Sequence, residues 1–188
     1  EMPPVRPVAG LPQPVLEFAI RAGAAAGTKL RLATLTQEGE LRRVQGGRFG
    51  RFAGWQAIAL GGPGFAWLAR QDAGPFPKLR IVDAYVQREG ELEARLLGSI
   101  PVARASGGSL TLGEAYRYLA ELPWAPDAIL GNPDLEWRIL ARNIAEVRLA
   151  TPAGLARVSF RFDAAGDIVE IEAKGRPARD ASGQEVLR

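Results

Sequence analysis

The sequence predicts an α+β domain: a curved, mostly antiparallel β-sheet or incomplete β-barrel of about ten strands, with an N-terminal helix and a central helix between two strand blocks. Three observations carry this prediction. Apolar and polar residues alternate with a period of two over most of the chain. Clusters of Gly, Pro, Asn and Asp punctuate the alternation as turns. One stretch, Leu110 to Leu130, breaks the alternation with helical spacing. About six strand-like segments precede it and about four follow it.

Residues 1 to 10 are rich in Pro and Gly and are expected to be a flexible arm. A first helix is expected from Pro14 to Ala24, since proline suits a first turn whose amides are unpaired anyway. From Thr28 the period becomes two, with Leu30 and Leu32 against Lys29 and Arg31. Glu38-Gly39 reads as a tight turn into Leu41 to Gln45. Strands follow at Phe52 to Leu60 and at Phe65 to Ala69, separated by Gly61-Gly62-Pro63-Gly64. A long strand runs from Leu79 to Arg88, with Leu79, Ile81, Asp83 and Tyr85 on one face. Glu89-Gly90 reads as the centre of a hairpin. Leu92, Ala94 and Leu96 alternate beyond it, and Ser106 to Ser109 forms the loop into the central helix.

The central helix shows a capping-box pattern, Thr111 with Glu114. Leu112, Ala115, Tyr116, Leu119 and Leu122 form its apolar stripe, and Glu114, Arg117, Tyr118 and Glu121 lie off that stripe. Pro123 stops it. After Pro133 four strands are expected as an antiparallel meander. Its inward sets are Leu135, Trp137 and Ile139; Ala145, Val147 and Leu149; Ala156, Val158, Phe160 and Phe162; and Val169, Ile171 and Ala173. Glu136, Arg138, Glu146 and Arg148 belong to its solvated face. Residues 11–176 form one domain, and residues 177–188 read as a frayed polar tail. Two short helices cannot cover about ten strands laid flat, so the sheet is expected to curl with the helices in its mouth.

Composition narrows the chemistry. Cysteine and histidine are both absent. That removes thiol nucleophiles, disulfides, histidine metal ligands and the Ser-His-Asp triad. No calcium-loop motif occurs, so no metal site and no cofactor are expected. The net charge of +3 arises mostly from arginines that alternate with glutamates along strands. This is unlike the clustered basic stripe that nucleic acid needs. No apolar run reaches the length of a membrane span. The chain begins Glu1-Met2 without a visible leader, a start compatible with removal of a leader or anchor.

The segments LTQEGELRR, GPGFAWLAR, VDAYVQREGELEARLLG, GEAYRYLAELPWAPDAIL and LEW, in this order, resemble an uncharacterised bacterial family, a domain of unknown function. The resemblance covers about residues 11 to 176 and is most specific around Trp124 and Pro126. It implies no activity. By architecture, the expected sheet is similar to periplasmic lipoprotein carriers with half-barrel folds, which makes a cell-envelope or periplasmic location the expectation beside the cytoplasm.

Asp83 is the most informative candidate, because a carboxylate on an inward strand face needs a partner or a proton. Either an arginine or tyrosine satisfies it, or it anchors a ligand in an apolar pocket. Trp55, Trp67, Tyr85, Tyr116, Tyr118 and Trp124 are the candidate pocket-lining aromatics beside it. The leading expectation is non-enzymatic binding of an apolar ligand, such as a lipid or acyl chain. The alternatives are a structural or protein-interaction domain and, third, a carboxylate-based hydrolase using Asp83, Glu114 or Glu121. Oligomeric state and ligand identity are open at this level.

Overall fold

The structure, a computed structural model, describes residues 10–42, 46–73, 76–179 and 185–187. Apart from Gly10, the expected N-terminal arm lies outside the described residues, as do residues 43–45 of the strand expected after Gly39. The helix α1 (Gln13–Arg21) leads into a six-stranded antiparallel meander. Its strands are β1 (Leu32–Leu41), β2 (Gly50–Ala59), β3 (Phe65–Ala73), β4 (Phe76–Val86), β5 (Glu89–Leu96) and β6 (Ile100–Ser106), paired in sequence order. Then come the helix α2 (Gly108–Ala120), a 3-10 turn at Leu122–Trp124 and the short helix α3 (Pro126–Gly131). A four-stranded meander follows: β7 (Glu136–Ala141), β8 (Ile144–Thr151), β9 (Gly154–Phe162) and β10 (Ile168–Glu172). In the polar tail β11 (Pro177–Arg179) pairs with β12 (Glu185–Leu187). The architecture is α+β as expected, and neither sheet closes into a barrel among the described residues.

The feature that organises the molecule is the position of α2. It packs on β4, β5 and β6 of the large sheet and on β8 and β9 of the small one. One face carries Ala115, Tyr116 and Leu119 into the core formed by Ala145, Val147, Leu149, Ala156, Val158 and Phe160. These small-sheet positions are the inward sets that the alternation predicts, each large side chain contributing roughly 1.5–3 kcal/mol by leaving water. The opposite face, Glu114, Arg117 and Glu121, is not solvated as expected. These residues follow one another at helical spacing and meet the large sheet. The helix does stop ahead of Pro123, which falls in the 3-10 turn, and the short turn expected after it is the helix α3.

The capping box is not formed. Gly107 (φ 109°, ψ −178°), in backbone space that essentially only glycine enters, starts α2 ahead of Thr111. Thr111 therefore sits inside the helix, and its hydroxyl accepts from the Gly90 amide at 3.0 Å. Gly90 is accordingly no turn residue but part of β5, at the point where α2 presses on the sheet. The hairpin centre is Gln87-Arg88, with φ of 54° and 66°, between the paired residues Val86 and Glu89. This type I′ geometry usually selects Asn-Gly. Glu38-Gly39 is also not a turn: Gly39 lies within β1 opposite Phe52.

A Cβ on Gly90 would stand 2.8 Å from Thr111 Cα and 2.9 Å from its amide nitrogen. The obstacle is helix backbone, which cannot rotate away. Gly90→Ala is therefore expected to destabilise the protein by about 1–3 kcal/mol, measured by urea unfolding. An unchanged midpoint would show that α2 is free to shift from β5.

Smaller departures have local causes. Leu30 and Leu32 are exposed, because β1 begins only at Leu32 and its first residues project past the core. A register irregularity between Ile168 and Glu170 lets Ile168 pack on the core and leaves Val169 exposed, and Ile171 is half exposed on an edge strand. Ile139 is half exposed on β7, the other edge, where the register also shifts. Glu146 is buried between Arg138 (2.8 Å) and Arg148 (2.6 Å) rather than solvated. Burial alone would raise its carboxyl, but the hydrogen bonds from these two arginines bring it below the usual range. At the end of α1, Arg21 donates to the Ala165 and Gly166 carbonyls, and Phe18 packs edge-on against Phe162 at 6.2 Å.

Candidate functional site

The register of the large sheet places Gln56, Trp67, Asp83, Leu92 and Ala105 side by side on its inner face. Asp83 does point inward, and it is 9% exposed. Arg117 of α2 reaches down to it with Nη1, while Arg117 Nε donates to Glu121 Oε1 at 2.8 Å. The guanidinium lies over Phe65 and Trp67, 4.7 and 5.1 Å from the ring centroids. Gln56 Nε2 donates to Glu121 Oε2 at 2.5 Å, Gln37 Nε2 to Gln56 Oε1 at 3.0 Å, and Trp67 Nε1 to Gln37 Oε1 at 2.7 Å. A polar layer thus ties the helix to the sheet. Burial would lower the Arg117 pKa, but Glu121, Asp83 and Glu114 more than offset this and raise it.

Glu114 stands beside Asp83 in this layer and is 6% exposed. Among the described residues, Asp83 Oδ1 and Glu114 Oε2 are buried without a hydrogen-bond partner when both groups are ionised. One proton on Glu114 resolves both, since the acid then donates to the carboxylate. Burial, and next the Asp83 charge, push the Glu114 pKa up to about 8. Burial also raises Asp83, against the pull of Arg117. Close carboxyls resist double ionisation, so Glu114 holds its proton more firmly than an ordinary glutamate does.

A cleft of about 460 Å³ opens at one end of the large sheet, between the Gly62-Pro63-Gly64 loop and the Gln87-Arg88 turn. Leu32, Ala57, Ala59, Phe65 and Ala66 supply apolar wall. Tyr85 forms part of it, fully buried, and its hydroxyl has no protein partner among the described residues. Burial raises its pKa. Arg88 borders the cleft, fixed by Asp134 at 2.8 Å and by the Ala150 carbonyl at 3.1 Å. The left-handed backbone of the turn is thus held in place on a cleft wall. Tyr118 lies behind it. Its hydroxyl accepts from Asn132 at 2.9 Å and is shared between the Ala59 and Gly62 carbonyls, each at 3.4 Å.

The candidate residues named from sequence do not converge on one pocket. Trp67, Asp83 and Tyr85 share the inner sheet face, and only Tyr85 borders the cleft. Trp55 lies on the outer face with Leu68 and Val82, and it is 43% exposed. Trp124 is 52% exposed on the 3-10 turn. Tyr116 donates to the Lys174 carbonyl at 2.9 Å. Sequence reasoning missed Arg88 and Asp134, whose pairing spans 46 positions and leaves no local signal. It also set Glu114 aside. Its shared helical phase with Arg117 and Glu121 was a usable signal. Among the described residues no cluster of three or more potential metal ligands occurs. No described helix is long and apolar enough to cross a membrane.

A family model matches residues 4–187, and the chain belongs to that family, a family of unknown function (DUF6544). No curated protein and no solved structure matches the chain.

Proposed function

From a family membership that brings no activity with it, and from the cleft at Tyr85, we propose that this protein binds an apolar small molecule with one polar end, of the lipid or acyl-chain class. The carrying observation is a cleft of about 460 Å³ with largely apolar walls, against which Tyr85 is buried with a partnerless hydroxyl. Binding sites commonly combine such walls with a few fixed polar groups. A buried hydroxyl without a partner costs stability, so its retention calls for an explanation. A ligand carboxylate or carbonyl oxygen seated at Arg88 on the cleft border supplies one, provided that binding uncovers the Tyr85 hydroxyl, which is enclosed in the free protein.

Tyr85→Phe tests the reading through two opposed effects. Removing an unpaired buried hydroxyl is expected to leave the free protein as stable as before or about 1 kcal/mol more stable. The same change is expected to weaken binding of a fluorescent long-chain fatty acid by about fivefold or more. A stabilised variant that binds the fatty acid as well as the parent does would defeat the proposal.

A second reading, a protein-interaction domain, is favoured by the exposed row Trp55, Leu68 and Val82 across the outer sheet face. It predicts self-association or partner binding that Trp55→Ser abolishes. Sedimentation showing a monomer at all concentrations, with no partner bound, would count against it.

A further inference from the structure

The outer face of the large sheet holds a second cleft, of about 530 Å³, lined by Trp55, Leu68, Val82, Arg70, Arg80 and Arg95. We propose that it binds a small amphipathic molecule, an apolar body carrying one phosphate, sulfate or carboxylate group. The register builds the cleft from neighbouring cross-strand rows. Trp55, Leu68 and Val82 form the apolar row, across β2, β3 and β4, and all of them are exposed. Arg70, Arg80 and Arg95 form the basic row, across β3, β4 and β5. Like charges directly opposite one another destabilise a sheet, so a row of arginines calls for a compensating anion.

The protein itself does not supply that anion in full. Among the described residues lining the cleft, Glu93 is the one carboxylate, and it is already engaged. Arg95 pairs with it along β5, and Arg104 stands opposite it on β6. The hydrogen bond from Arg95, and then the charges of Arg95 and Arg104, hold its carboxyl below the usual range. Arg80, in the middle of the basic row, forms no salt bridge among the described residues. An oxyanion seated on Arg80 has the neighbouring guanidiniums one strand away on either side. Its apolar body then covers Leu68 and Val82 against the Trp55 ring. The surrounding charges favour a discrete molecule over an anionic membrane. Glu38 stands opposite Ala53 and Glu91 opposite Ala84, both exposed on this same face, where they would repel a bilayer laid across it. The row Ala57, Ala66 and Ala84 separates this cleft from the one at Tyr85.

The experiment is a titration of the full chain with octyl phosphate, kept below micelle formation, and read by amide chemical shifts. Inorganic phosphate and octanol are titrated separately. The expected result is saturable shifts at Leu68, Arg80 and Val82, with each of the two fragments binding at least about tenfold more weakly than the whole. Arg80→Gln is expected to weaken octyl phosphate about tenfold. The free variant should melt no lower than the parent, since the row of like charges is relieved. A merely structural arginine would lower the melting temperature when removed. Tyr85→Phe is expected to leave these shifts unchanged, which separates this site from the fatty-acid experiment. Unsaturable shifts, or an affinity unchanged in Arg80→Gln, would overturn the proposal. So would binding only to vesicles of anionic phospholipid and not to octyl phosphate. Self-association that Trp55→Ser abolishes and octyl phosphate leaves untouched would assign the face to a second copy instead.

Discussion

Arg117→Met is expected to destabilise the protein by roughly 3–5 kcal/mol, the range found when one partner of a buried ion pair is removed. Arg117 is the only cation with a salt bridge to Asp83 and Glu121 among the described residues, and all three side chains are largely buried. Methionine fills similar space against Phe65 and Trp67 but leaves both carboxylates without their counter-charge. Gln56 still donates to Glu121, so the loss concentrates on Asp83. Arg117→Lys should recover only part of the stability. One ammonium cannot reproduce the planar fork that serves Asp83, Glu121 and the two rings together. Urea unfolding at neutral pH measures this. A loss below about 1 kcal/mol, the size of a surface pair, would show that the polar layer does not hold α2 to the sheet.

The second large effect is on pH dependence. In the folded protein Glu114 keeps its proton up to about pH 8. In the unfolded chain an ordinary glutamate loses it near pH 4.3. Between these values the folded state binds more protons than the unfolded state, so stability falls as pH rises. The slope approaches roughly 1 kcal/mol per pH unit at its steepest. The contribution is fully present below the unfolded pKa and is lost as pH passes the folded one. Asp83, also raised, adds in the same direction just above its own ordinary range. Glu114→Gln removes the titration, while the amide can still donate to Asp83. Its stability curve is expected to be nearly flat from pH 5 to about 8, and the variant should exceed the parent above that window. Equal slopes in parent and variant would mean that Glu114 is ionised in the folded protein.

Much of the fold can be read from the chain because meanders are local. Each strand pairs with its sequence neighbour, and period-two alternation fixes which side chains turn inward. Val147, Val158 and Phe160 needed no tertiary information. The place of α2 did. Its apolar stripe satisfied the usual pattern of a helix with one solvated face, so Glu114, Arg117 and Glu121 read as surface charges. The structure covers both faces and gives the second one a polar complement, Gln56 and Asp83, carried by strands far away in sequence. The capping-box pattern misled for a related reason. Thr111 and Glu114 have the right spacing, but Gly107 starts the helix earlier and frees both side chains for contacts with the sheet. The inward direction of Asp83 and Tyr85 was visible from sequence. The Tyr85 cleft was not, because it is assembled from loops and strand ends whose convergence no local pattern records.

The central claim, that the Tyr85 cleft holds an apolar molecule with a polar end, is tested most directly by native mass spectrometry of gently purified full-length chain, followed by lipid extraction. The account predicts a discrete mass increment that resolves into an acyl-bearing compound and disappears in Ala66→Trp, which fills the cleft. A bare polypeptide mass, together with no uptake of added fatty acid, would contradict it.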